Sequence, residues 1–187
     1  MKARPVKVLI VDDHSLVRRG LAKLLEIEDA VEVVGGAADG VDALRLLPSA
    51  RPDVAQVDAR MSGVELVRRL SEEHPRVAAI ILTTLDDDEY VFGGLRAGAK
   101  GYLLKDTPPE ELISAIEKAH RGETVLGGQI AARVVDELGK TSGSTGPGSR
   151  TSELSEREAE VVDLMGATNV EIARALYITP ATTSPRS

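Results

Sequence analysis

The sequence predicts a doubly wound α/β domain with a five-stranded parallel sheet, followed by a small all-α segment. Three observations predict it. Residues 1–125 alternate short apolar runs with helix-period segments, the pattern of a parallel sheet covered by helices on both faces. Polar residues capable of chemistry follow several of those runs, where open α/β sheets bind ligands. A polar, Gly/Ser-rich stretch then separates this region from two short helical segments near the end.

Strands are expected at Val6–Val11, Val31–Ala37, Val54–Val57, Val77–Leu82 and Gly101–Leu104. The first helix, Ser15–Glu26, places Leu16, Gly20, Lys23 and Leu24 on neighbouring turns, with Leu21 and Leu25 widening the stripe. Ser15 suits its N-cap. Further helices are expected near Val41–Leu47, Val64–His74, Asp87–Ala97 and Pro109–Arg121. Pro109 suits a first turn and Gly122 a helix end. Residues 127–139 read as another helix, with Ile130, Val134, Val135 and Leu138 apolar. Lys140–Ser149 is too polar to bury a core and reads as a linker. Ser155 and Glu158 then form a capping-box pattern, a short helix follows at Val170–Leu176, and Ile178–Thr182 resembles the turn into a third helix.

Composition sets the outer bounds. Aromatic residues make up 2% of the 187 residues, so Leu, Val, Ile and Ala must build the core. The net charge of −7 argues against nonspecific nucleic-acid or anionic-membrane binding over the whole surface. The absence of cysteine excludes disulfides and thiolate metal sites. No apolar run approaches the ~20 residues of a membrane-spanning helix. Acids interrupt the apolar stretch after Val11, so the N-terminus is not a secretory signal.

The chemistry concentrates at the carboxyl ends of the runs. Asp12 and Asp13 follow Val8–Val11, Asp58 follows Val54–Val57, Thr83 follows Val77–Leu82 and Lys105 follows Gly101–Leu104. Adjacent carboxylates held by a strand concentrate negative charge and suit a hard divalent cation such as Mg²⁺. A third carboxylate can act as nucleophile, and a hydroxyl and an ammonium can hold phosphoryl oxygens. Each has a plainer reading as well: the acids as caps or turn residues, Lys105 as a solvated lysine. His14, His74 and His120 show no metal-ligand spacing and read as surface or cap residues.

The segments VLIVDDHSLVRRGL, PDVAQVDARM and IILTTLDDDEYVFGGLRAGAKGYLLKD resemble the receiver domain of bacterial two-component response regulators, a flavodoxin-like fold. LSEREAEVVDLM and NVEIARALYITPAT add the helix-turn-helix of the LuxR type, so the resemblance is to the NarL/FixJ subfamily. It implies a cytoplasmic regulator of transcription, with a receiver at 1–125, a linker helix and flexible linker at 126–152 and an incomplete helix-turn-helix at 153–187. It implies Asp58 as the residue phosphorylated by a sensor histidine kinase. It also implies Asp12, Asp13, Asp58 and the backbone carbonyl of Arg60 around Mg²⁺, Lys105 against the phosphoryl group, and Thr83 with Tyr102 as the switch. Phosphorylation is expected to favour a homodimer.

Three departures from the family pattern stand out. Only Ser62-Gly63 separates Met61 from Val64, a loop about three residues short beside Asp58. A second shortening falls at Met165–Thr168, and the third helix is missing after Thr182. From Glu153 onward Arg157, Arg174 and Arg186 face six acids, so specific promoter binding by this chain is not expected and its DNA-contacting residues are not assigned. Two rivals remain. One is a stand-alone receiver acting through protein contacts. The other is an Asp-nucleophile phosphatase of the haloacid-dehalogenase kind, which needs an acid where Arg60 stands.

Overall fold

A computed structural model describes residues 4–60, 62–84 and 89–141. In chain order the elements are β1 (Val6–Val11), α1 (Ser15–Leu25), β2 (Val31–Ala37), α2 (Gly40–Ala50), β3 (Val54–Asp58) and α3 (Gly63–Glu73). They continue with β4 (Ala78–Thr83), α4 (Glu89–Arg96), β5 (Gly101–Leu104), α5 (Pro109–His120), β6 (Val125–Leu126) and α6 (Gly128–Thr141). The strands form one sheet in the order β2-β1-β3-β4-β5-β6, and every neighbouring pair is parallel. The α/β expectation therefore holds, with six strands instead of five. The sixth is two residues long, too short for any periodicity to reveal. It forms because the chain leaving α5 runs back along the free edge of β5, where Val125 N–H donates to Lys100 O at 2.8 Å and Gly127 N–H to Tyr102 O at 2.9 Å.

Alternation along each strand sends side chains to two different layers. Val8, Ile10, Val54, Ile80, Leu82 and Leu103 share one core cluster with Leu25 of α1 and Leu112, Ile113 and Ile116 of α5. The opposite face lies under α2, α3 and α4, which contribute Leu47, Leu66, Val67, Leu70, Val91 and Leu95 to the buried set. With so few aromatics, the driving force comes from many branched aliphatics, each worth about 1.5–3 kcal/mol when fully buried.

Strands β1, β2 and β5 match their expected bounds, the other elements shift by one to three residues at one or both ends, and two local readings need correction. The inward stripe of α1 is Val17, Leu21, Ala22 and Leu25, whereas Leu16 is 80% exposed and Leu24 38%. The leucines alone do not fix the helix phase; the bend after Asp12 does. That same bend makes His14 the N-cap residue in place of Ser15, with no side-chain cap bond. The cap at the far end of α5 follows expectation, with Gly122 at φ +85°.

The chain divides after Gly127 into a second unit, Gly128–Ser187. Of that unit, α6 lies within the described residues and extends through Lys140 and Thr141, the first two residues of the polar stretch. The rest of the expected linker and the helix-turn-helix at 153–187 lie outside the described residues. No helix among the described residues is long and apolar enough to cross a membrane.

Candidate functional site

The parallel ladder does not stop where the strands end. Asp12 N–H donates to Ala37 O at 3.1 Å, Ala59 N–H to Leu82 O at 2.9 Å and Lys105 N–H to Thr83 O at 2.7 Å. These bonds continue the pairing of β1 with β2, β3 with β4 and β4 with β5, so the side chains at the sheet edge are fixed by backbone. Asp12 is 2% exposed, Asp58 4% and Thr83 1%, while Asp13 is open to solvent.

Lys105 ties two of the acids together. Its Nζ donates to Asp12 Oδ2 at 2.9 Å and lies 3.2 Å from Asp58 Oδ2. Asp58 Oδ2 is buried and accepts no well-formed hydrogen bond, so the second contact is an ion pair only. Burial alone would push the Lys105 ammonium down. The hydrogen bond to Asp12 and the nearby charge of Asp58 outweigh burial and hold it above the ordinary lysine value.

The other oxygens of these acids are occupied differently. Asp12 Oδ1 accepts His14 N–H at 2.8 Å, and Arg18 donates to the Asp12 carbonyl. Asp58 Oδ1 accepts Arg60 N–H at 3.3 Å. His14 Nδ1 stands 2.6 Å from Asp13 Oδ1 and 3.4 Å from Asp12 Oδ1. Ligand atoms of Asp12, Asp13, His14 and Asp58 all lie within 4.8 Å of one another. Three carboxylates thus face one ammonium, and a buried carboxylate oxygen is left without a donor. That charge deficit and that orphaned oxygen fit a divalent cation with oxygen ligands. The acidic pocket can bind a metal. His14, read from sequence as a surface or cap residue, is both N-cap and a member of this cluster. Its adjacency to Asp13 was the available signal.

The described residues after Asp58 form a close turn. Ser62 adopts a left-handed backbone at φ 60°, and Gly63 N–H donates to Arg60 O at 3.1 Å. Gly63 then opens α3 directly against β3, where a β-carbon would collide with the carbonyl oxygen of Asp58. The Arg60 carbonyl is therefore engaged in a tight turn. The Arg60 side chain, to which the sequence reading gave no role, reaches over to donate to Thr84 Oγ1 at 3.3 Å.

Thr83 and Tyr102 lie on the second face of the sheet. Thr83 pairs with Leu104 and Ile81 with Tyr102, so Thr83 and Tyr102 are diagonal neighbours on the side that α4 covers. Thr83 Oγ1 donates to the Thr84 carbonyl at 3.2 Å, and Tyr102 is fully buried.

Residues 8–117 match the family model of the response regulator receiver domain. The chain is 38% identical to the uncharacterized transcriptional regulatory protein YxjL of Bacillus subtilis, with 97% of this chain and 86% of that protein covered. It is 39% identical to the oxygen regulatory protein NreC of Staphylococcus carnosus, covering 95% and 85%. Among solved structures, a LuxR-family two-component response regulator from Aurantimonas sp. superposes with a TM-score of 0.65 at 30% identity. That match covers 71% of this chain and 97% of that one. Receiver match, full-length relatives and carboxylate pocket agree: the chain belongs to the LuxR-family response regulators of two-component systems, which control transcription.

Proposed function

We propose that the receiver of this chain is switched by phosphorylation of Asp58, with Mg²⁺ as the metal and a sensor histidine kinase as donor. The observation that carries the reading is the Asp58 carboxylate itself: buried, 3.2 Å from Lys105 Nζ, with Oδ2 accepting no well-formed hydrogen bond. An Asp58 oxygen attacks phosphorus in line, and the P–N bond to the kinase's phosphohistidine breaks as the P–O bond forms. Bound Mg²⁺ supplies charge neutralisation on the phosphoryl oxygens.

The division of labour among the acids follows from what already occupies them. Asp12 has Oδ2 on Lys105 and Oδ1 on the His14 amide, so it acts on the metal through water. Asp13 is solvent-facing and would be the direct ligand, together with Asp58 and the Arg60 carbonyl. Lys105 exchanges its contact with Asp58 for a phosphoryl oxygen, and Thr83 turns from the Thr84 carbonyl toward the same group. Tyr102, diagonal to Thr83, passes the change to the α4–β5–α5 face and so to dimerisation. The chain is a phosphoryl acceptor with at most slow self-hydrolysis, not a turnover enzyme.

The test is exposure to acetyl phosphate and Mg²⁺ followed by intact mass. One added phosphoryl group is expected, and none in Asp58→Asn, because an amide is not a competent nucleophile here. Labelling of Asp58→Asn overturns the assignment.

A further inference from the structure

α4 contains two adjacent glycines, Gly93 and Gly94, in the segment that covers Tyr102. Paired glycines in an eight-residue helix work against helix propensity, each disfavoured relative to alanine. Their surroundings differ sharply. A β-carbon on Gly93 would meet only the methyl groups of Val64, at 3.7 and 3.9 Å, which is ordinary contact. A β-carbon on Gly94 would lie 2.5 Å from Ile81 Cδ1 and 2.8 Å from Tyr102 Cε2. Both neighbours are fully buried, so neither has open space to retreat into.

We propose that Gly94 is a positioning residue for the switch: its missing side chain is the notch in α4 that admits the Tyr102 ring. With the notch filled, α4 must lift from the sheet or the ring must leave its place between α4 and β4. Gly93 loosens the helix without shaping that space. Because Tyr102 is diagonal to Thr83, the residue at position 94 also sets how a change at Thr83 reaches α4. This inference deepens the switch reading given above and rests on it for that last step only.

The chain holds three tyrosines, Tyr90, Tyr102 and Tyr177, and no tryptophan, so fluorotyrosine labelling gives three resonances. Tyr102→Phe assigns the one from Tyr102. In the 187-residue parent and in Gly93→Ala, this resonance should be protected from a soluble paramagnetic relaxation agent. In Gly94→Ala it should shift and relax like an exposed tyrosine, and acetyl phosphate with Mg²⁺ should no longer move it. A protected, unshifted Tyr102 in Gly94→Ala overturns the proposal. So does equal exposure in both glycine variants, which would assign the effect to helix propensity. If Gly94→Ala does not fold, Gly94→Ala/Ile81→Val removes the atom at 2.5 Å and is judged by the same criterion. Failure of the switch reading looks different: the parent's Tyr102 resonance would ignore the phosphodonor, while the glycine comparison without donor would still decide the notch.

Discussion

Two sets of opposite charges in this molecule use the same chemistry to different ends. On the outer face of α3, Arg68 bonds Glu65 at 2.6 and 3.0 Å and Glu72 at 2.7 and 2.9 Å, and Arg69 bonds Glu73 at 2.8 and 3.0 Å. At the edge of the sheet, Lys105 serves Asp12 and Asp58 at 2.9 and 3.2 Å. The surface set has the better geometry. Its hydrogen bonds lower the Glu65 carboxyl and raise the Arg68 guanidinium from their ordinary values. Yet both partners sit in water, where screening and side-chain entropy erase most of the gain. The edge set has poorer geometry, but its acids are desolvated, so each missing partner is felt. Solvent, more than distance, separates a decorative ion pair from a poised one.

The sharpest way to break this contrast is at the residue that joins the two regions. Gly63 begins α3 and presses on the carbonyl of Asp58. Gly63→Ala places a β-carbon against backbone that cannot step aside. A loss of about 3 kcal/mol or more in urea unfolding is expected. A loss under about 1 kcal/mol would mean that the short loop yields easily and that the edge is less rigid than its hydrogen bonds imply.

Removing the central cation comes next. Lys105→Met takes the ammonium from Asp12 and Asp58 and leaves them only their backbone amide donors, at a cost of roughly 2–3 kcal/mol, below the fully buried case because Lys105 keeps some exposure. The pH dependence has a defined sign. The Lys105 value is raised on folding, so its stabilisation is complete below the unfolded value of about 10.4 and fades as pH rises through the higher folded value. The parent should therefore lose stability in that alkaline window, and Lys105→Met should lack that component.

A metal probes the same deficit from the other direction. At a hundredfold excess over its dissociation constant, Mg²⁺ should stabilise the parent by about 2.7 kcal/mol. Asp13→Ala should abolish this gain and Asp12→Ala only reduce it. Equal losses in calorimetric titration would contradict the division between a direct and a water-mediated acid. The smallest effect belongs to the surface. Arg68→Ala breaks the bonds to Glu65 and Glu72, yet its unfolding midpoint should match the parent's within error. A clear drop would show that the α3 ladder contributes more than its exposure permits.

The sheet edge was legible in the sequence because each strand announces itself as an apolar run and ends in a residue out of keeping with it. Asp12, Asp58, Thr83 and Lys105 could be placed on one edge for that reason. Other features follow from local backbone bends that leave no periodic trace. The turn at Asp12–His14 sets the phase of α1, turns Leu16 outward and brings His14 to Asp13. The turn at Arg60–Gly63 sends the Arg60 side chain to Thr84. The sixth strand exists only as an edge pairing of two residues. The notch at Gly94 depends on which face of α4 meets Tyr102, which is a tertiary fact.

On the reading proposed above, the desolvated edge carries the phosphoryl chemistry through Asp58, and the α3 ladder takes no part. The deciding experiment is site mapping of the acyl phosphate after acetyl phosphate and Mg²⁺ treatment, run in parallel on the parent, Lys105→Met and Arg68→Ala. The label should fall on the peptide containing Asp58 alone, form at the parent's rate in Arg68→Ala and lose its normal course in Lys105→Met. Label on Asp12 or Asp13, or an equal disturbance in Arg68→Ala, would contradict the account.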